Sequence, residues 1–178
     1  AYEAVHEINS WDELRTRLAP KDRRCFAFFH PAMQDEPIIF VEVALTKEIP
    51  SNIQNVLQKE RVFLDPEEAK AAVFYSISNC QKGLTGISFG NFLIKQVATD
   101  LSYEFKNLKN FVTLSPIRFR KWMRSKYPKL DAKIEKIKKS DQLSKIKDDL
   151  LTCLGEYFFK SERSDKMPND PVARFHLG

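Results

Sequence analysis

The sequence predicts an α/β domain built on a mixed central sheet flanked by helices, and three observations predict it. Two apolar stretches, CFAFFH (25–30) and IIFVEVAL (38–45), are separated by the turn-forming PAMQDEP and read as an antiparallel hairpin. AAVFYSIS (71–78), apolar enough to be central, leads through a glycine-bearing loop into residues 90–105. There Phe92, Leu93, Val97, Leu101 and Phe105 recur at the helical period. NFVTLS (110–115) then supplies a fourth strand, reached by a crossover helix, which is the connection a parallel pair requires.

The remaining elements follow in order. Ser10-Trp11-Asp12-Glu13 is a capping box that opens a helix through about Leu18, and Pro20 closes it. Pro50-Ser51-Asn52-Ile53-Gln54 is a second capping box, opening a helix through about Lys59. Asp65-Pro66-Glu67-Glu68 predicts a helical turn, with Asp as cap and Pro at its first position. Residues 118 to about 159 read as helical, broken at Pro128 and near Ser140. After the polar segment 161–171, VARFHL (172–177) alternates and reads as the start of another strand. There is no internal repeat.

At 178 residues, with 43% hydrophobic and 30% charged residues, the chain has the length and composition of one soluble domain. Its longest apolar runs are strand-sized, well short of a bilayer span, and no secretion signal opens it. It begins at Ala1 rather than Met, which is consistent with an upstream segment having been removed. Cys25, Cys80 and Cys153 lie far apart without a C-x-x-C pair. They predict free thiols in a reducing compartment, not a disulfide framework or a zinc site. Three histidines, His6, His30 and His176, are too few and too scattered for a metal cluster. Between Ile117 and Lys147 twelve Lys or Arg face three acids, a local charge of +9 in a chain of net +5. Such a run points either to an anionic partner, nucleic acid or a phosphate-rich molecule, or to a solvated helical face.

The stretch from Ala71 to Pro116 carries the most chemistry. Gln81 to Gly90 spaces its glycines G-x-x-G-x-x-x-G, which is neither the dinucleotide fingerprint nor a Walker A loop. Backbone N–H groups delivered to a helix start form a phosphate cradle, with Thr85 and Ser88 adding hydroxyls and Lys82 or Lys95 a countercharge. The same glycines also suit a tightly packed strand–helix connection, and the pattern alone leaves both readings open. Ser115 sits at a strand end, its backbone pinned by Pro116, without the G-x-S-x-G elbow of a hydrolase nucleophile. His176 lies between apolar Phe175 and Leu177, a setting common for structural histidines.

The element order is also that of the acyl-CoA-binding acetyltransferase-like fold, an analogy of topology only. More specific are long stretches: YEAVHEI (2–8), DRRCFAFFHPA (22–32), DEPIIFVEVALT (35–46), SNIQNVL (51–57), FYSISNCQKGLTGISFGNFLIKQV (74–97), FVTLSPI (111–117) and DPVARFHLG (170–178). In these the chain resembles the malonyl-CoA decarboxylase family, most closely its bacterial type, over the first and larger part of the catalytic domain.

The resemblance implies an acetyltransferase-like (GNAT-type) catalytic domain over residues 1–178. It further implies that this domain is incomplete at its C-terminal end and lacks the family's upstream helical domain. The implied reaction is that of a carboxy-lyase of fatty acid metabolism, malonyl-CoA to acetyl-CoA and carbon dioxide. No metal or prosthetic group is implied, since the CoA moiety arrives with the substrate. The family's CoA-phosphate loop falls on Thr85, Gly86, Ile87, Ser88, Phe89, Gly90 and Asn91. Its active-site serine falls on Ser115, its active-site histidine on His176, and a position lining the substrate end of the pocket on Ser76. The implied partner is malonyl-CoA or acetyl-CoA, with no nucleic acid or membrane and a homo-oligomeric parent. The implied location is a bacterial cytoplasm, or a mitochondrion or peroxisome in a eukaryote.

The residue types suit that chemistry. Loss of carbon dioxide leaves a carbanion that the thioester carbonyl takes up as an enolate, so the protein must orient, desolvate and stabilise charge. Ser115 is read as a hydrogen-bonding group and His176 as the proton donor to the α-carbon. The family's usual L-S-P-I-P-G-F is here Ser115-Pro-Ile-Arg-Phe-Arg, one residue shorter and without its Pro-Gly turn. This puts Arg118 and Arg120 within the segment that aims the serine, as candidate partners for a CoA phosphate or the malonyl carboxylate. The alternatives are a CoA-binding remnant, an acyltransferase of the same fold, or a basic nucleic-acid binder. Only Trp122 and Tyr127 interleave the basic run, which argues against the last.

Overall fold

The computed structural model describes residues 8, 10–58, 60–84, 90–137, 144–161 and 166–177. The chain divides into two compact units, Ala1–Ser115 and Pro116–Gly178.

The first unit begins with helix α1 (Trp11–Leu18), whose N-cap Ser10 accepts a hydrogen bond from the Glu13 N–H at 3.1 Å, as the capping box predicts. Strands β1 (Arg23–His30) and β2 (Met33–Thr46) form the antiparallel hairpin, and β2 pairs antiparallel with β3 (Ala71–Asn79). Between them lie the short helix α2 (Gln54–Leu57) and a 3₁₀ turn at Pro66–Glu68. Asn52, not Ser51, provides the capping oxygen near α2, accepting from the Asn55 N–H at 2.9 Å. Helix α2 ends at Leu57, short of the end near Lys59 that the sequence predicts. Asp65 caps the 3₁₀ turn as expected, accepting from the Glu67 N–H at 3.0 Å.

Helix α3 (Gly90–Glu104) crosses from β3 to β4 (Asn110–Thr113), and β4 pairs parallel with β3. Among the described residues the sheet has four strands in the order β1-β2-β3-β4, so the mixed sheet and its crossover are as predicted. Leu93, Val97, Leu101 and Phe105 pack on Val41, Val43, Leu45, Ala72 and Phe74, burying one face of the sheet. Phe92, assigned to that stripe from its spacing, is instead 68% exposed. On the opposite face Ala44, Val73, Tyr75 and Val56 form a smaller core.

The second unit is helical. Helices α4 (Phe119–Lys126), α5 (Pro128–Glu135) and α6 (Lys147–Phe159) gather Met123, Leu130, Ile146 and Cys153 into one core. The break falls at Pro128, as the sequence predicts; the one near Ser140 lies outside the described residues. Much of the basic run is neutralised here. Arg120 and Arg124 pair with Asp131 and Glu135, Lys126 with Glu156, and Lys133 with Asp149.

Two expectations are corrected. Residues 172–177 are not a strand: Pro171–Leu177 is helix α7, because Asp170 caps it and Pro171 occupies its first turn. The acetyltransferase-like (GNAT-type) fold is also not what the described residues form. Their sheet ends at β4, and every helix or strand after Ser115 is helical, so no strand from the second unit continues it. No described helix is long and apolar enough to cross a membrane.

Candidate functional site

Because β3 and β4 run parallel, the loop leaving β3 and the segment leaving β4 emerge at the same edge of the sheet. That is where ligands bind in open α/β sheets. The pairing runs from Ala71–Asn110 to Phe74–Thr113, and one further bond follows, from the Leu114 N–H to the Phe74 carbonyl at 2.9 Å. Beyond it Tyr75–Asn79 continue along β2 while the chain from Leu114 leaves the sheet, and the two strands part. Ser115 stands exposed at this departure. Gly90 is buried at the start of α3, with Asn91 half-buried beside it. Thr85, Gly86, Ile87, Ser88 and Phe89 lie outside the described residues.

Ser76 is buried in β3, its Oγ 3.5 Å from that of Ser78. A bulge puts it there. Val43 pairs with Phe74 and Glu42 with Ser76, so Tyr75 is the extra residue and the alternation resets after it. Ile77 then joins the α3 face, while Ser76 sits opposite Glu42.

Glu42 is the residue that sequence reasoning missed. It is 1% exposed, its nearest countercharge is Arg17 Nη1 at 3.6 Å, and among the described residues neither carboxylate oxygen accepts a hydrogen bond. Burial pushes its carboxyl above the usual carboxylate range, with the Ser76 hydroxyl, Arg17 and Arg23 pulling the other way. The signal was present as a single acid interrupting IIFVEVAL. A carboxyl raised by burial favours the folded state most fully below about pH 4.3, and that contribution is lost as pH rises through its folded value. Glu42→Gln should therefore gain melting temperature relative to the unsubstituted chain as pH is raised from about 5 to 8. A difference that stays flat, or moves the other way, would show that attraction to Arg17 outweighs the burial cost.

In the second unit His176 lies exposed in the last turn of α7, its ring meeting the Phe175 ring edge-on with centroids 5.0 Å apart. The helix is held at its start. Asp170, fully buried, accepts from the Val172 and Ala173 N–H groups at 2.8 and 3.2 Å, from the Arg118 N–H at 3.2 Å and from the Tyr157 hydroxyl at 2.7 Å. Arg118 thus joins the α7 cap through its backbone, while the Arg120 side chain is taken up by Asp131 and Glu135. Ser115 and His176 fall in different compact units, and each is placed within its own. Among the described residues no cluster of His, Cys, Asp and Glu is arranged to hold a metal.

Residues 1–178 match the malonyl-CoA decarboxylase C-terminal domain along their full length. The chain belongs to the malonyl-CoA decarboxylase family. It is similar to the crystal structure of malonyl-CoA decarboxylase from Agrobacterium vitis, with a TM-score of 0.86 at 49% identity, over 99% of this chain and 47% of that one. The corresponding structure from Rhodopseudomonas palustris gives 0.86 at 46% identity, over 99% and 47% of the two chains. Mitochondrial malonyl-CoA decarboxylase of Mus musculus is 44% identical over 125 residues, 68% of this chain and 25% of that protein. The chain thus spans about half the length of the bacterial structures and a quarter of the curated relatives. The fold is accordingly the α/β mixed-sheet fold of the malonyl-CoA decarboxylase C-terminal domain, which replaces the acetyltransferase-like assignment.

Proposed function

We propose that the protein containing this chain converts malonyl-CoA to acetyl-CoA and carbon dioxide. The observation that carries the reading is the family match along all 178 residues, which includes the serine and histidine motifs around Ser115 and His176. In this reading CoA phosphates bind at the loop from Thr85 to Asn91, whose last two residues open α3, since a helix start favours a phosphate. Ser76 lines the acyl end. The carboxylate carbon leaves as carbon dioxide, and the electron pair of the broken C–C bond passes into the thioester as an enolate. Ser115 donates a hydrogen bond to the carboxylate or the enolate oxygen, and protonated His176 delivers its proton to the α-carbon. The parent is a homo-oligomer acting in a bacterial cytoplasm, with no nucleic-acid partner.

The test uses the longer polypeptide that contains this chain, incubated with malonyl-CoA while acetyl-CoA release is followed. Ser115→Ala and His176→Ala should each lower kcat about a hundredfold, the scale of a lost hydrogen-bonding or proton-transfer group. Full turnover in both variants would remove these residues from the site. A parent that binds CoA but leaves malonyl-CoA intact would make the chain part of a CoA-binding protein without decarboxylase activity.

A further inference from the structure

On the sheet face away from α3, a cleft of about 290 Å³ opens between α1, the start of β1, α2 and the segment after it. Four arginines line it, Arg15, Arg17, Arg23 and Arg61, and among the described residues no acid does. Three acids lie behind that wall: Glu13 and Glu42 beside Arg17, and Asp22 beside Arg23 and Arg61. The cleft is left with one excess positive charge, or two when Glu42 is protonated.

The donors are not exhausted. Arg23, 5% exposed, donates from Nη1 to the Asp22 carbonyl and from Nη2 to the Val56 carbonyl, both neutral acceptors. Arg61 places Nη1 and Nη2 on the Asp22 carboxylate and stacks its guanidinium 5.0 Å over the Phe63 ring. A guanidinium carries five N–H groups, so both retain donors beyond these bonds.

The decisive group is Tyr75, which also lines the cleft. It is 1% exposed, and among the described residues its hydroxyl has no hydrogen-bond partner. Buried hydroxyls are nearly always paired, and an orphan beside spare arginine donors marks the place of an absent acceptor. Burial, with Glu42 nearby, pushes its ionisation far up, so it remains a neutral donor. Around this polar end Pro20, Val56, Leu57 and Phe63 supply an apolar wall.

We propose that this cleft binds a small oxyanion, a carboxylate or phosphate on a short apolar body, held by Arg23, Arg61 and the Tyr75 hydroxyl. The cleft adjoins the core cluster that Tyr75 shares with Leu114, and the proposal does not depend on the decarboxylase reading.

Tyr75→Phe tests it without disturbing an existing bond. Titrations of the chain with inorganic phosphate and with hexanoate, followed by calorimetry at constant ionic strength, should saturate with at least one probe. Tyr75→Phe should bind that probe about tenfold more weakly, the worth of a hydroxyl donated to a charged acceptor. Its ligand-free melting temperature should equal or exceed that of the unsubstituted chain, because no partner is lost. The tighter probe then identifies the head group. Failure of both probes to saturate would overturn the proposal. So would equal affinity in Tyr75→Phe, or a loss of ligand-free stability in that variant.

Discussion

Replacing Asp170 by alanine is expected to cost the second unit about 2–4 kcal/mol and to unravel α7, and with it the placement of His176. A seven-residue helix is too short to persist on its own propensity, so α7 depends on its cap and packing. Asp170 accepts four hydrogen bonds, three from backbone N–H groups and one from the Tyr157 hydroxyl, which is itself buried. Loss of an N-cap side chain costs about 1 kcal/mol, and buried donors left without an acceptor cost about 1–3 kcal/mol more. Burial would raise the Asp170 carboxyl, but these donors outweigh it and hold its pKa below the usual range. Its contribution is therefore present above about pH 4 and is lost as pH falls through the lowered value. Urea unfolding and amide exchange across residues 171–177 would measure the loss. Tyr157→Phe removes one donor and should cost only about 1 kcal/mol. Turnover of the longer protein should follow the same order, with Asp170→Ala far below Tyr157→Phe. If α7 amides exchange equally slowly in Asp170→Ala, the cap is not what holds the helix.

That cap also explains why residues 172–177 form a helix and not a strand. Asp65-Pro66 marks a helical start, and Asp170-Pro171 carries the same signal. The alternation of VARFHL points the other way, although a short apolar alternation does not by itself separate strand from helix. Where period and boundary chemistry agreed, as in β3, α3 and β4, the elements were legible to within a few residues. Element order did not carry further. The same succession of strands and helices suggests an acetyltransferase-like sheet, but among the described residues every element after Ser115 is a helix.

The candidate site was legible as motifs and not as contacts. Ser76, Ser115 and His176 stand out by the segments around them, whereas Glu42 acquires its character from partners across the sheet. A bulge at Tyr75 decides that Ser76 rather than Tyr75 faces Glu42. Nothing in the local composition of AAVFYSIS announces a bulge, because the extra residue is absorbed by long-range pairing. The arginine cleft was hidden for the same reason, since Arg17, Arg23 and Arg61 come from three separate segments.

The second large effect should come from Asp22. It is 1% exposed and holds Arg61 through both guanidinium Nη atoms, with Arg23 Nη1 at 3.5 Å and the Leu64 N–H at 3.1 Å. It therefore ties the start of β1 to the segment that precedes the 3₁₀ turn. Burial alone would raise its carboxyl; Arg61, the Leu64 N–H and Arg23 more than reverse this, so its pKa lies below the usual range. The stability it contributes is present above about pH 4 and is lost as pH falls through that lowered value, opposite in sign to Glu42. Asp22→Ala leaves Arg23 and Arg61 without their shared counterion and should cost about 3–5 kcal/mol, read from denaturant midpoints. The same two arginines line the proposed oxyanion cleft, which ties the two predictions together. Without Asp22 their charge is open to an external anion, so phosphate should raise the melting temperature of Asp22→Ala more than that of the unsubstituted chain. If phosphate stabilises both alike, removing Asp22 opens no further anion site at the arginines, and the cost of the substitution lies in the lost Leu64 bond and packing.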